Sequence, residues 1–369
     1  MILTVRIAIN GIGVVGGFGC GVEDLRRRLQ AADLADGARV SEKGDLFPGI
    51  LGFCAGTTRL GSFVPKRALR RLDHFVRMAV LGGYLAIEDA GFPIDGSEKV
   101  GVVVATGYGA AQATFSFLDT VIDDGDACAS PTFFASSVHN AAAAYISLLT
   151  QAAGPTITVS QFEMSIPAGL LTASRLLEEK KADIVLCGGV DEICPVLGYC
   201  WNRFFPVTQR VAIRPLELNR QSAVPGEGAA FFLLSRAGSE SPKYGMITGI
   251  ALGKLGKGEG SVPLNTGMPF FLGLDGKESC SRLYASHIPE GTRVAAYAQN
   301  YGSLPVGPAF DMAVAAISLK DGRVYGVPQD AGDHPPWHII REEQPLGASS
   351  VCCVKFDCHG NFGIITLTR

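Results

Sequence analysis

Apolar and polar positions switch period along this chain, and the clearest switch runs from Gly154 to Glu192 (GPTITVSQFEMSIPAGLLTASRLLEEKKADIVLCGGVDE). Ile157–Val159 is a short apolar run with β-branched residues, so it predicts a strand, and the residues from Gln161 to Pro167 predict a tight turn. Leu170, Leu171, Leu176 and Leu177 then recur at near-helical spacing, while Arg175, Glu178, Glu179, Lys180 and Lys181 take the opposite side. A second apolar strand, Ile184–Cys187, is closed by Gly188 and Gly189. The unit is strand, turn, helix over 168–181, strand.

The rest of the chain reads in the same terms. Residues 5–28 predict a strand, a glycine turn and a helix opening at about Val22. Residues 66–91 form an amphipathic helical region. Val100–Gly107 is a buried run of β-branched residues ended by glycine, the habit of a strand in a parallel sheet covered on both faces. Pro131–Leu149 reads as a short segment bearing Phe133 and Phe134, followed by an alanine-rich helix. Phe231–Leu234 is a further strand, and Lys243–Gly253 opens a second half.

Composition narrows the function classes. With 369 residues, 47% hydrophobic and 18% charged, the chain can bury a large core as one α/β domain or as two packed halves. A net charge of −3 and short basic clusters on helices argue against a nucleic-acid partner. No run reaches the ~20 apolar residues of a membrane span. Arg6 and the charged helix from Glu23 are unlike a signal peptide, so a cytoplasmic protein is expected. The ten cysteines contain no C-x-x-C pair and several lie in apolar runs, which predicts buried free thiols and no metal. Gly11-Ile12-Gly13-Val14-Val15-Gly16 matches G-x-G-x-x-G, yet the helix opens late and no second strand with a terminal acid follows. No dinucleotide or other cofactor is expected.

The 154–192 unit resembles the nucleophile segment of the β-ketoacyl synthases, condensing enzymes of fatty acid and polyketide synthesis with the thiolase fold. Those enzymes read GP, strand, Cys at the turn, helix, then AD and an apolar strand ending in GG. Further likenesses are the opening strand, the 66–91 helix, RPLELNRQSAVPGEGAA (214–230) with Gly226-Glu227-Gly228 intact, and the tail CHGNFGIITL (358–367), which aligns with FGFGGTNATL. The resemblance spans nearly the whole chain. It implies a five-layered αβαβα fold of two pseudo-repeat halves, 1–238 and 239–369, sharing one core.

The resemblance also exposes departures. The ungapped match places Glu163 where the family has its nucleophilic Cys. The HGTGT and GHxxGAAG motifs are fused into NYGSLPVGPAF (300–310), so Asn300 replaces the first catalytic His and Gly302, or Tyr301, the second. A condensing synthase needs a thiolate, two imidazoles for malonyl decarboxylation and backbone donors for the oxyanion. A carboxylate attacking a thioester would give a high-energy anhydride. By the resemblance, Phe133 and Phe134 are candidates to line or plug an acyl tunnel, with core packing as the other reading. His139 lies near the expected pocket, and His359 and Gly360 lie in the expected oxyanion turn; His74, His287, His334 and His338 read as structural or solvated. The expected function is a non-condensing subunit of chain-length-factor type, paired with an active ketoacyl synthase or with itself and served by acyl carrier protein. Two alternatives stay open: a decarboxylase or hydrolase using Glu163 as base with His139 or His359, and a scaffold without a ligand tunnel.

Overall fold

The computed structural model describes residues 3–31, 52–92, 99–205, 213–238, 241–256, 262, 264–327 and 337–369. The long β1 (Leu3–Gly16) folds back through β2 (Gly19–Cys20) into α1 (Val22–Gln30). A single turn α2 (Lys66–Leu69) leads into α3 (His74–Ala90), whose N-cap Asp73 accepts from Val76 N and whose C-cap Gly91 is left-handed. Then come β3 (Val100–Ala105), α4 (Ala111–Asp124), α5 (Pro131–Ser137), α6 (Ala141–Thr150), β4 (Thr156–Val159), α7 (Ser165–Glu178), β5 (Ile184–Asp191), α8 (Pro195–Phe204) and β6 (Gly228–Arg236). The remainder is β7 (Met246–Lys254), β8 (Phe270–Leu272), α9 (Glu278–His287), β9 (Arg293–Ala295), α10 (Gly307–Asp321), β10 (Arg323–Val324), β11 (His338–Ile339), β12 (Gln344–Pro345), β13 (Ser350–Phe356) and β14 (Asn361–Thr368).

Two sets of five strands repeat one order. β1-β6-β5-β3-β4 corresponds place for place to β7-β14-β13-β8-β9, and in each set the last strand in sequence, β6 or β14, runs antiparallel to the others. β1 and β7 hydrogen-bond to each other and join the sets into one twelve-stranded mixed sheet, which β2 and β11 complete; β10 and β12 pair separately. Alternate side chains along a strand face opposite ways. Val102, Val104, Leu186 and Leu233 pack with α3 and α6, whereas Val103, Cys187 and Phe232 pack into the larger core that holds α7 and α10. α7 and α10 touch both strand sets, and α9 lies against β13. This is the thiolase-like α/β arrangement, with α10 buried from Gly307 to Leu319 and apolar there except for Asp311 and Ser318. Residues 239–240, at the boundary expected between the halves, lie outside the described set.

Several local expectations change. The glycines at 11, 13 and 16 lie within β1 instead of forming a turn: a Cβ at Gly11 would stand 2.2 Å from Ala86 O, and one at Gly13 2.0 Å from Gly82 O. Gly11 and Gly13 let α3 lie close on the strand, and Gly16 makes room for the Phe18 ring, so the G-x-G-x-x-G match is a packing device. Likewise β5 runs through Gly188 and Gly189, because a side chain at Gly188 would strike Ala230 O at 2.3 Å. α7 starts at Ser165, three residues before the expected 168, since proline is tolerated in a first helical turn and Pro167 sits there. All ten cysteines are free, but Cys128 and Cys358 are exposed, against the expectation of burial. Among the described residues no helix is long and apolar enough to cross a membrane.

Candidate functional site

The turn between β4 and α7 is held by one buried hydroxyl. Ser165 Oγ accepts from Gln161 N at 2.8 Å and donates to Thr106 O at 2.9 Å. Phe162 takes the left-handed conformation, φ +48°, and its side chain is 61% exposed. Glu163 follows, just ahead of the positive end of α7.

Glu163 is tied to a second carboxylate through a lysine. Lys277 Nζ lies 3.2 Å from Glu163 Oε1 and 3.3 Å from Asp275 Oδ2. Asp275 Oδ2 also accepts from Ser303 Oγ at 2.7 Å and pairs with Lys355 Nζ at 3.3 Å, and Lys355 donates to Gly273 O at 2.8 Å. The Lys277 ammonium faces the rings of Trp201 and Phe205, 5.5 and 5.8 Å from their centroids. A tight turn brings Asp275 and Lys277 together. Gly276 between them has φ +84°, and its carbonyl accepts from Ser222 N and Ala223 N. Burial alone would strip the Lys277 proton, but Asp275 and Glu163 outweigh it and hold the pKa above that of free lysine. Burial likewise works to raise Asp275, and the ammoniums of Lys277 and Lys355 overcome it, so its carboxyl lies well below the usual range. The cluster carries two ammoniums and enough carboxylate to balance them.

Two further buried acids shape the surroundings. Asp191 accepts from Thr106 Oγ1 (2.8 Å), Gly107 N (3.0 Å), Tyr108 N (2.9 Å) and Val306 N (3.3 Å), joining the loop after β3 to the start of α10. Burial pushes its pKa up to about 6 against those bonds. Tyr301 donates to Asp311 Oδ1 at 2.5 Å beside a cavity of about 10 Å³, space for one water, lined also by Asp275 and Lys355. Burial raises Asp311 to about 7, opposed by the Tyr301 hydroxyl and Lys355.

A folded-state pKa above the unfolded value of about 4 means that the Asp311 contribution is complete at low pH and is lost as pH rises through about 7. Asp311→Asn can keep the Tyr301 bond without ionising. It should flatten the decline in stability between about pH 5 and pH 8, leaving the smaller share from Asp191. Urea midpoints at the two pH values check this, and identical pH dependence in both proteins would refute it.

The sequence-predicted residues distribute unevenly around Glu163. Asn300 is buried; its side-chain amide donates to Tyr297 O at 3.0 Å, and among the described residues its Oδ1 has no hydrogen-bond partner. Gly302, φ +89°, packs on Gly226, where a Cβ would meet Gly226 Cα at 2.6 Å. Ser303 is the residue of this segment that reaches the Asp275 cluster. His139 is exposed, with its ring against Gly109. His359 and Gly360 occupy the turn between β13 and β14; His359 N donates to Asp357 Oδ1, and Gly360 O accepts from Leu255 N. Phe133 and Phe134 are 42% and 56% exposed on α5, which removes the core-packing reading. His74 pairs with buried Glu227 at 2.9 Å, His287 bonds Leu283 O, His338 is exposed, and His334 lies outside the described residues. No described histidine is hydrogen-bonded to Glu163 or Lys277. Sequence reasoning missed Asp275, Lys277 and Lys355. The available signal was an isolated charge beside or within an apolar run, FFLGLDGK and VCCVKF, since a charge so placed must be paired.

Residues 6–239 match the family model described as β-ketoacyl synthase, N-terminal domain. The chain belongs to the β-ketoacyl synthase family. It is 26% identical over 247 residues to 3-oxoacyl-[acyl-carrier-protein] synthase 2 of Rhizobium meliloti, covering 62% of this chain and 58% of that one. It is 27% identical over 242 residues to the oxytetracycline polyketide putative β-ketoacyl synthase 1 of Streptomyces rimosus, covering 62% and 57%. The chain thus spans little more than half the length of these relatives. Among solved structures, the ishigamide ketosynthase/chain length factor superposes with TM-score 0.80 at 18% identity, over 100% of both chains. A β-ketoacyl synthase from Burkholderia phymatum gives 0.81 at 17%, again over 100% of both. A type II polyketide ketosynthase in complex with its acyl-carrier protein gives 0.76 at 16%, over 100% of both. At these identities the structural likeness speaks for the fold.

Proposed function

We propose that this chain is a non-condensing β-ketoacyl synthase-like subunit of chain-length-factor type, pairing with a condensing synthase and forming part of the wall of its acyl tunnel. The observation that carries this reading is the Glu163–Lys277 ion pair at the turn where the family resemblance places a nucleophilic thiol. A carboxylate there offers no stable acyl carrier, and among the described residues no imidazole is hydrogen-bonded to it to assist decarboxylation. The alternative of Glu163 as a general base is less well supported, because Lys277 occupies the carboxylate that would have to take a proton and neither His139 nor His359 contacts it.

Two surface features favour the partners. β4 ends the sheet, and the nearby surface exposes Leu148, Phe133, Phe134 and Phe162, suited to a second thiolase-fold chain. Lys66, Arg67, Arg70 and Arg71 are exposed beside a groove of about 510 Å³ lined by Leu72, Tyr145, Leu148 and Leu149. That pairing of positive charge with an apolar groove suits an acidic, helical carrier such as an acyl carrier protein.

Incubated alone with acyl-carrier thioesters, the protein should show no acyl adduct by intact-mass spectrometry and should not decarboxylate malonyl thioesters. A stable adduct, on a cysteine or on Glu163, would overturn the reading.

A further inference from the structure

α8 is a lightly attached helix. Of its ten residues only Gly198 and Trp201 are buried, while Tyr199 and Phe204 are 70% and 71% exposed. It touches α4, and two of its aromatic contacts meet at one charged group. The rings of Trp201 and the following Phe205 meet at a tilt of 45° with centroids 4.8 Å apart, and both face the Lys277 ammonium. Trp201 also reaches the hydroxyl of Tyr108, whose pKa burial drives up to about 12. The far side of that ammonium is fixed by Glu163 and Asp275. A single buried cation therefore links the turn between β4 and α7, the elbow, to α8.

We propose that α8 is a latch over the elbow, with Trp201 and Phe205 held down on Lys277 and the Glu163–Lys277 pair keeping the ammonium in place to receive them. When the latch lifts, the Lys277 ammonium, buried in the closed form, meets solvent from the α8 side. The aromatic faces are the adjustable part, because a desolvated ammonium over a ring is attracted by the ring quadrupole and the attraction disappears with the charge. Loss of the charge should free α8 while the rest of the fold stays intact.

Amide hydrogen exchange over 195–205 and alkylation of Cys194 and Cys200, which lie at the N-cap and within α8 and are read by peptide mass, test this on the whole protein. Lys277→Met should raise both rates roughly tenfold, the change that losing about 1.4 kcal/mol of closing free energy produces. Lys277→Arg, which keeps the charge over the rings, should restore rates near those of the unmodified protein. Should Lys277→Met fail to fold because Glu163 is left unpaired, Glu163→Gln/Lys277→Met removes both charges and must show the same rise. Rates within about twofold of the unmodified protein in a folded charge-free variant would overturn the latch. The latch rests on the non-condensing reading of the elbow, but the two fail separately. An acyl adduct would remove that reading and leave the exchange result standing, whereas unchanged exchange would remove the latch alone.

Discussion

Lysine at both 157 and 159 is expected to yield monomeric or insoluble protein. β4 pairs with β3, and among the described residues its other edge has no partner. The carbonyls of Pro155 and Val159 accept from Val102 N and Thr106 N, so strand alternation turns the N–H and C=O groups of Thr156 and Thr158 outward. No charge interrupts residues 155–162, and an uncharged, β-prone open edge is an aggregation hazard unless another strand covers it. A two-fold mate could cover it with its own β4. Two ammoniums forced into that seam would lose hydration at a cost of about 5 kcal/mol or more, some thousandfold in dissociation constant. Ile157 and Val159 also pack against the core, so the double variant strikes the fold as well as the seam. Thr158→Pro separates the two effects, since it removes one outward donor and leaves the β3 ladder untouched. It should dissociate the assembly in analytical ultracentrifugation while keeping native stability. A soluble monomer of the unmodified protein at micromolar concentration would remove the interface, and weaken the chain-length-factor reading with it.

The same edge strand marks how far the sequence could be read. Ile157, Val159 and the leucines at 170, 176 and 177 are apolar positions that pack into the core, because local period and burial are the same physical fact here. Boundaries were less legible. Pro167 reads as a stop, yet it occupies a helical first turn whose preceding bend is set by Ser165 bonding across to Thr106, 59 residues away. The glycines of β1 read as a turn because the reason for Gly11 and Gly13 is α3 lying on the strand, which no local window contains. The site was legible only at Glu163. Its partner Lys277 lies 114 residues on, and Lys355 is 80 residues from Asp275, so the pairing exists only once the two strand sets are brought together. The exposed positions of His139 and His359 follow from tertiary placement for the same reason.

Asp275→Ala is the substitution expected to expose how much of the fold depends on that pairing. The side chains of Asp275, Lys277 and Lys355 are each at most 8% exposed, and one carboxylate serves both ammoniums and the Ser303 hydroxyl. Breaking a buried ion pair from one side leaves an uncompensated charge, at a cost of about 3–5 kcal/mol. Here Lys355 would keep only the Gly273 carbonyl, and Lys277 only Glu163 and the aromatic faces. Thermal unfolding should show the loss as a fall in Tm of roughly 4–6 °C. Lys355→Met alone should cost less, because Asp275 retains Lys277, and the double variant Asp275→Ala/Lys355→Met should recover part of the single-variant loss, since an ammonium left without its carboxylate is then gone. The pH dependence has a fixed sign. The folded Asp275 carboxyl lies below its unfolded value of about 4, so its contribution is complete above that pH and is lost as pH falls through the depressed folded value. The gap between unmodified protein and Asp275→Ala should therefore be full at neutral pH and narrow in acid. A double variant as unstable as the sum of the two singles, or a gap that widens on acidification, would show that Asp275 does not hold the two lysines in the way their distances indicate.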